Sequence, residues 1–143
     1  MSCSIPDHVR AIWAETDALN SVIPVSAGST NRFFEAGLDL SGFGLPYAVL
    51  IDTGTSSRQA LGDNTFFEIL TFLLRIYSDD KTQLTSLSRA ARQVYSNEYG
   101  GQTDDGCVCK MSIDHGRSTL LPDGTRMVQH LLSVSMAEDR TPT

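Results

Sequence analysis

Apolar residues near the N-terminus recur with a helical period. Four of them share the spacing of one helix face: Val9, Ile12, Trp13 and Leu19. A Ser-x-x-Asp capping sequence begins at Ser4, and Pro24 marks a point past which an α-helix does not continue. The pattern therefore predicts an amphipathic helix over residues 5–21, with Trp13 as an anchor of the core.

The middle of the chain has the pattern of strands. Residues 47–52 are apolar up to an aspartate and follow a Gly-Leu-Pro turn, which predicts a strand, and a shorter strand is expected at 32–36. Residues 53–64 are polar and contain glycine, so we expect a loop there. Residues 66–77 fit either a helix or a strand by periodicity, and their aromatic and β-branched content slightly favours a strand.

The C-terminal half predicts a second helix and a hairpin. The helix over 80–96 begins at an Asp-Asp cap and carries a clear apolar stripe: Leu84, Leu87, Ala91, Val94 and Tyr95. Alternating residues predict strands at 107–114 and 127–136, joined through a Pro-Asp-Gly turn. The polar tail at 138–143 is expected to be frayed.

This order of elements predicts one α+β domain over residues 1–143. Its sheet should be mostly antiparallel, with four to five strands and two helices packed on one face. The chain has 143 residues, of which 11 are basic and 17 acidic, for a net charge of −6. Such an acidic chain is not expected to bind nucleic acid, and we see neither a signal peptide nor a membrane-spanning segment.

The most conspicuous motif is the Val-Leu-Ile-Asp-Thr-Gly sequence at 49–54. It resembles the active-site sequence of aspartic proteases, in which two aspartates share one proton. A chain of this length would form such a site with Asp52 only as a homodimer, as retroviral-type proteases do. That family begins with strands and has a late apolar-apolar-Gly segment, and this sequence shows neither. An ordinary Asp-Thr-Gly turn is the favoured interpretation, and the protease remains the alternative.

The cysteines and histidines do not form a recognisable site. Cys107 and Cys109 alternate on a predicted strand, but no second cysteine pair completes a zinc site, so packing in the core is favoured. The three histidines have no mutual spacing that suggests a catalytic group, and His130 is expected to be a hydrogen-bonded histidine of the sheet. We therefore predict no catalytic, metal-ligating or cofactor-binding residues.

The order of the longer elements points to a family. A Leu-Pro-Tyr-Ala-Val sequence at 45–49 leads into a strand, and Phe-Glu-Ile-Leu-Thr-Phe-Leu-Leu-Arg-Ile-Tyr-Ser at 67–78 runs directly into the helix at 80–96. The chain closes on a strand, Gln-His-Leu-Leu-Ser-Val-Ser-Met, at 129–136. Together with the N-terminal helix, this order resembles the tail-terminator, or tail-completion, proteins of long-tailed bacteriophages. The resemblance implies that residues 66–77 form a strand.

The same resemblance implies a structural role without catalysis. Proteins of that family assemble as a ring, typically hexameric, which ends polymerisation of the tail tube and presents a surface for head joining. The implied partners are further copies of the chain, tail-tube proteins and head-connector proteins. The implied location is the virion tail, or the host cytoplasm during assembly. A small binding module is the third hypothesis.

A ring needs a surface that is buried between its subunits. The predicted strand at 66–77 places four large side chains on its mixed outer face: Phe67, Ile69, Leu73 and Tyr77. We expect these residues to form the oligomer interface.

Overall fold

A computed structural model of the protein describes residues 5–25, 31–35, 44–60, 65–96, 101–102 and 108–139. The helices in these residues are α1 (Ile5–Glu15), α2 (Asp17–Asn20) and α3 (Lys81–Tyr95). The strands are β1 (Phe33–Glu35), β2 (Tyr47–Ala60), β3 (Thr65–Ser78), β4 (Gly101–Gln102), β5 (Val108–Ile113), β6 (Arg117–Leu120) and β7 (Arg126–Asp139).

The strands form a single mixed sheet in the order β1-β2-β3-β7-β5-β4, and β6 also pairs with β7. Only the β1–β2 pair is parallel among the described strands, so the predicted α+β class with a mostly antiparallel sheet is confirmed. The sheet has seven strands rather than four or five. The difference arises from the two-residue β4 and from the short β6, neither of which is long enough to show a period in the sequence.

The helices cover one face of the sheet. Along β3 the even-numbered residues from 72 to 78 are buried and the odd-numbered ones are only half-buried, as expected for a strand with one covered face. Trp13 is fully buried, donates from Nε1 to the carbonyl oxygen of Ile23 at 2.9 Å, and meets Phe33 edge to face at 5.0 Å. The Tyr95 hydroxyl donates to the carbonyl oxygen of Val9 at 2.7 Å, which ties α3 to α1 beneath the surface.

The N-terminal helix is interrupted, whereas the sequence predicts one helix over 5–21. Thr16 has an extended backbone (φ −102°, ψ 106°) between α1 and α2. Its hydroxyl donates to the carbonyl oxygen of Ile12 at 2.8 Å, a contact that competes with the regular helix ladder. The change of direction brings Leu19 and Ile23 into the core together with Trp13.

Strand β2 is much longer than the predicted strand at 47–52. It continues through Ala60, so residues 53–60 belong to the sheet and the predicted loop there is wrong, while residues 61–64 lie outside the described residues. The pairing shifts between Asp52, opposite Phe72, and Ser56, opposite Leu70, so β2 carries two extra residues at this point. Threonine and serine suit an extended backbone, and glycine tolerates a bulge, which is why polar residues here interrupt the register but not the strand.

One side of the C-terminal hairpin consists of two short strands instead of one continuous strand. Strands β5 and β6 lie end to end along the same edge of β7, separated by residues 114–116. The hairpin turn lies at 121–125 and includes a hydrogen bond from the Leu121 amide to the carbonyl oxygen of Thr125. Strand β7 continues through Asp139, two residues into the tail that the sequence predicts to be frayed, and residues 140–143 lie outside the described residues.

Candidate functional site

The face of the sheet opposite the helices carries a row of apolar side chains. Ile51, Leu73 and Leu131 are register neighbours on three consecutive strands. Ile51 and Leu73 are half-buried, and Leu131 is 41% exposed. The described helices pack on the other face, so this row, which we call the outer-face row, is a surface that water reaches.

The residues that the sequence predicts to form the oligomer interface lie on β3. Ile69, Leu73 and Tyr77 occupy alternate positions of β3 and are all half-buried. Phe67 also belongs to β3, but its side chain lies outside the described part of the structure. Of the three described side chains, Leu73 is the one that lies within the outer-face row.

Sequence reasoning missed two members of the outer-face row. Ile51 belongs to a run of apolar residues that has no visible alternation, so its face could not be chosen from the sequence. Leu131 lies between Gln129 and Ser133 on the polar face of an alternating strand. An apolar residue at a position where the alternation predicts a polar one is the feature of the sequence that could have identified it as part of an exposed apolar surface.

An aromatic group lies on the same face of the sheet, four residues from the outer-face row along β2 and β3. Tyr47 and Tyr77 are paired across β2 and β3, and their rings stack at 4.8 Å, while Phe34 meets Tyr47 edge to face at 6.2 Å. Partial burial raises the pKa of the Tyr47 phenol, and the neighbouring Tyr77 phenol adds to this effect. The Tyr47 hydroxyl therefore stays neutral at physiological pH and can donate a hydrogen bond.

Polar rows flank the apolar one. Arg75 donates from Nε to Oε1 of Gln129 at 2.8 Å across β3 and β7, which holds both side chains against the sheet. On the other side, Thr71 and Ser133 are opposite each other in the register. An apolar centre with a hydrogen-bonding border is the usual anatomy of a protein–protein interface.

A second polar group lies between α3 and the sheet, where Ser88, His130 and Asp114 stand in the order of a Ser-His-Asp triad. The Ser88 hydroxyl lies 2.8 Å from Nε2 of His130. The imidazole Nδ1 lies 3.1 Å from the main-chain oxygen of Asp114 and 3.7 Å from its carboxylate. The carbonyl oxygen only accepts, so Nδ1 carries the proton and Nε2 accepts from Ser88.

The surroundings of His130 favour structural support over catalysis. The His130 side chain is fully buried, and burial lowers its pKa. The Asp114 carboxylate accepts from the amides of Leu131 at 2.9 Å and Gly116 at 3.0 Å, so it stabilises the break between β5 and β6. The contact of Ser88 with His130 joins α3 to β7, so we assign this group to holding α3 on the sheet.

The Asp-Thr-Gly sequence lies inside a strand. Asp52 is exposed and stands opposite Phe72, and β2 runs on beyond it to Ala60. An aspartic protease needs its aspartate in a tight turn where a second aspartate can meet it. The backbone at Asp52 does not have that form.

The two cysteines considered as zinc ligands in the sequence have no described side chains. Cys109 lies on β5, its side chain is not described, and Cys107 lies outside the described residues. Within the described part of the chain, no three His, Cys, Asp or Glu side chains are grouped so that they could hold a metal ion. No helix in the same residues is long and apolar enough to cross a membrane.

Comparisons with known proteins give a match by fold and none by sequence. Neither a protein-family model nor a curated protein matches this chain. A chain of the solved structure "Virion of native gene transfer agent (GTA) particle" is similar, with a TM-score of 0.62 and 10% identity. The alignment covers 91% of this chain and 92% of that one, so the two share a fold over nearly their whole lengths.

Proposed function

We propose that this protein is a structural component of a virion and has no catalytic centre. The observation that carries the proposal is the fold shared, over 91% of this chain and 92% of the other, with a chain of a gene transfer agent virion. A match that spans both chains indicates a counterpart of the whole subunit rather than of a common substructure.

Within that class, the role that fits best is tail termination. The order of elements resembles that of phage tail terminators, and the proposed assembly is a ring that ends the tail tube and presents a surface for head joining. Tail-tube and head-connector proteins would be its partners, and the virion tail its location.

The outer face is the proposed assembly surface. Large side chains of β3 lie there, Ile69, Leu73 and Tyr77, and Leu131 of β7 extends the apolar row. Complete burial of a leucine side chain that is exposed to water contributes about 1.5–3 kcal/mol, so a few such residues support a stable contact. We propose that Phe67 belongs to the same surface.

A charged substitution on this face tests the proposal. Leu131→Lys should raise the protein concentration at half-assembly by roughly tenfold or more, because a lysine would be desolvated in the contact. The measurement is the mass by light scattering over a dilution series, compared with the 15.6 kDa of one chain. The fold of the variant is checked by its melting temperature, which should change little.

The matched control is Leu120→Lys. Leu120 is 62% exposed but lies on β6 beside Lys81 and Leu84 of α3, away from the outer-face row. Its substitution should leave assembly unchanged. A wild-type protein that remains a monomer at about millimolar concentration, alone and with tail tubes, would contradict the ring.

A further inference from the structure

Two clefts of opposite charge lie on the helix-covered side of the sheet. The first has a volume of about 520 Å³ and lies between the C-terminal part of α3 and the end of β5. It is lined by Arg89, Arg92, Gln93, Ser96, Ile113 and His115. We call it the basic cleft.

The basic cleft presents hydrogen-bond donors. Arg92 lies 2.9 Å through Nη1 from Nδ1 of His115, and because a guanidinium only donates, that imidazole nitrogen accepts and Nε2 carries the proton. The buried Nε of Arg92 has no hydrogen-bond partner among the described residues, and Arg89 is exposed. Two guanidinium groups and an imidazole N–H together suit the oxygens of a carboxylate.

Among the residues that the structure describes, one carboxylate lies next to the basic cleft along the sequence. Asp114 precedes His115, but its Oδ1 already accepts from the amides of Gly116 and Leu131. The ion-pair partner described for Asp114 is His130, and none is described between Asp114 and Arg89 or Arg92.

The second cleft is acidic and has a volume of about 310 Å³. It is lined by Pro6, Glu35, Leu50, Asp52 and Phe72. The side chains of Leu50 and Phe72 form a buried apolar floor, and Glu35 and Asp52 are exposed above it. We call it the acidic cleft.

The two clefts lie toward opposite ends of the sheet. The acidic cleft uses β1, β2 and Phe72 of β3, whereas the basic cleft uses the end of β5, and β7 lies between them in the strand order. The carboxylates of the acidic cleft thus lie across the width of the sheet from the basic cleft of the same subunit.

We propose that a second copy of this chain places its acidic cleft against the basic cleft of the first, in a head-to-tail contact. The charge complementarity of the two surfaces, carried by one polypeptide, selects a second copy as the occupant. Glu35 would pair with Arg89 and Arg92 of its neighbour. This inference rests on the proposed ring and adds a charged contact, distinct from the outer-face row, that gives the ring direction, since a ring repeats its contacts between two different surfaces.

Charge reversal tests the contact. Arg89→Glu alone and Glu35→Arg alone should each raise the concentration at half-assembly by roughly tenfold or more, because each creates a repulsive pair at every contact. The double variant Arg89→Glu/Glu35→Arg should return to within about threefold of the wild type. Light scattering over a dilution series gives all of these values.

Mixing the two single variants gives a sharper result. In a head-to-tail arrangement that alternates the variants, each reversed cleft meets a reversed cleft and each native cleft meets a native one. An equimolar mixture should therefore assemble at a concentration near that of the wild type, although neither variant does so alone. Alternation closes only rings with an even number of subunits.

A chemical cross-link locates the contact directly. Arg92→Lys keeps the charge and provides an amine, and a carbodiimide joins an amine only to a carboxylate that touches it. Mass spectrometry of the cross-linked oligomer should show residue 92 joined to Glu35 or Asp52 of another copy. A cross-link from residue 92 to other carboxylates only would overturn the proposal.

Two exposed charges at helix ends serve as controls. Lys81 lies in the first turn of α3, and Glu15 lies in the last turn of α1. The charges introduced by Lys81→Glu and Glu15→Arg therefore suit the helix dipole. Both should leave assembly unchanged. If Arg89→Glu and Glu35→Arg behave like these controls while Leu131→Lys weakens assembly, the head-to-tail contact is wrong and the proposed function stands. A monomeric wild type overturns both.

Discussion

At the scale of single residues, the imidazole of His130 is held by two other parts of the chain. Ser88 of α3 donates to one ring nitrogen, and the main-chain oxygen of Asp114 accepts from the other. Both ring nitrogens are thereby satisfied in a side chain that is 0% exposed. A buried polar group without its partner costs about 1–3 kcal/mol, so the orientation of the ring is strongly determined.

Burial of His130 predicts a pH dependence of stability. Because the folded-state pKa lies below the ordinary 6.5, the neutral form is favoured in the folded protein. Above 6.5 this contribution is complete, and below it the unfolded chain takes up the proton first, so the free energy of unfolding falls by at most about 1.4 kcal/mol per pH unit. Urea unfolding between pH 8 and 5 should give a shallower slope for His130→Gln than for the wild type. Equal slopes would contradict this assignment.

A second prediction at this scale concerns two glycines with similar backbones. Gly116 and Gly124 have φ of +80° and +90°. A Cβ at Gly116 would lie 2.5 Å from Cε1 of His130, whereas a Cβ at Gly124 would meet nothing within 4 Å. Gly124→Ala should cost about 1 kcal/mol through backbone strain alone.

Gly116→Ala should cost about 1–3 kcal/mol more than Gly124→Ala, because the imidazole has to move as well. Denaturant unfolding of the two variants side by side isolates this steric part. An equal loss of stability in both would show that the approach of Gly116 to His130 has no energetic consequence.

At the scale of elements, α3 has the best-defined start. Asp80 accepts from the amide of Thr82 at 2.9 Å and from that of Gln83 at 3.4 Å. The Ser78 hydroxyl donates to Oε1 of Gln83 at 2.7 Å and accepts from the Asp80 amide at 3.1 Å. This capping network joins the end of β3 to the helix, so the register of the sheet determines where α3 begins.

Removal of the cap should destabilise the protein. Asp80→Ala should cost about 0.5–2 kcal/mol, because the first amides of α3 lose their acceptor. The adjacent Asp79 is also exposed and acidic, yet no hydrogen bond from it to α3 is described, so Asp79→Ala should cost less. Thermal unfolding of the two variants makes the comparison, and equal shifts in melting temperature would argue against the cap.

The elements differ in how well the sequence predicts them. The apolar stripe and the acidic cap predict a helix over 80–96, and α3 occupies Lys81–Tyr95. Residues 53–60 were misinterpreted because serine, threonine and glycine are as common in loops as in bulged strands, and only pairing with β3 decides between them. The break at Thr16 follows from burial of Leu19 and Ile23, which local spacing does not show.

At the scale of the whole molecule, the two faces of the sheet differ in how far their side chains are buried. The helix-covered face holds the core, and the outer face keeps its apolar row at the surface. An apolar row that stays partly exposed on a sheet face is a candidate place of interaction. The net charge of −6 gives copies of the chain a mutual repulsion that disfavours non-specific association.

The structural role and the aspartic-protease alternative predict opposite results in an assay of proteolysis. If the protein is structural, neither the wild type nor Asp52→Asn should cleave casein at acidic pH, and the substitution should leave the outer-face row intact. Because Asp52 also lines the acidic cleft, any change in assembly would belong to that contact, not to proteolysis. Cleavage by the wild type that is lost in Asp52→Asn would restore the protease hypothesis.

The sequence by itself determined what depends on neighbouring residues. Periodicity and the Asp80 cap predict α3, alternation predicts the strand at 127–136, and these together predict the α+β class. Alternation within β3 also places Leu73 and Tyr77 on one face once that segment is a strand.

Only the tertiary structure decided what depends on register between distant segments. The row of Ile51, Leu73 and Leu131 joins three strands, and the contact of Ser88 with His130 joins α3 to β7. A shift of one residue in pairing would turn every side chain of a strand to the other face, and local spacing carries no information about that choice. The burial of the whole core selects the register, so the candidate surfaces exist only in the folded chain.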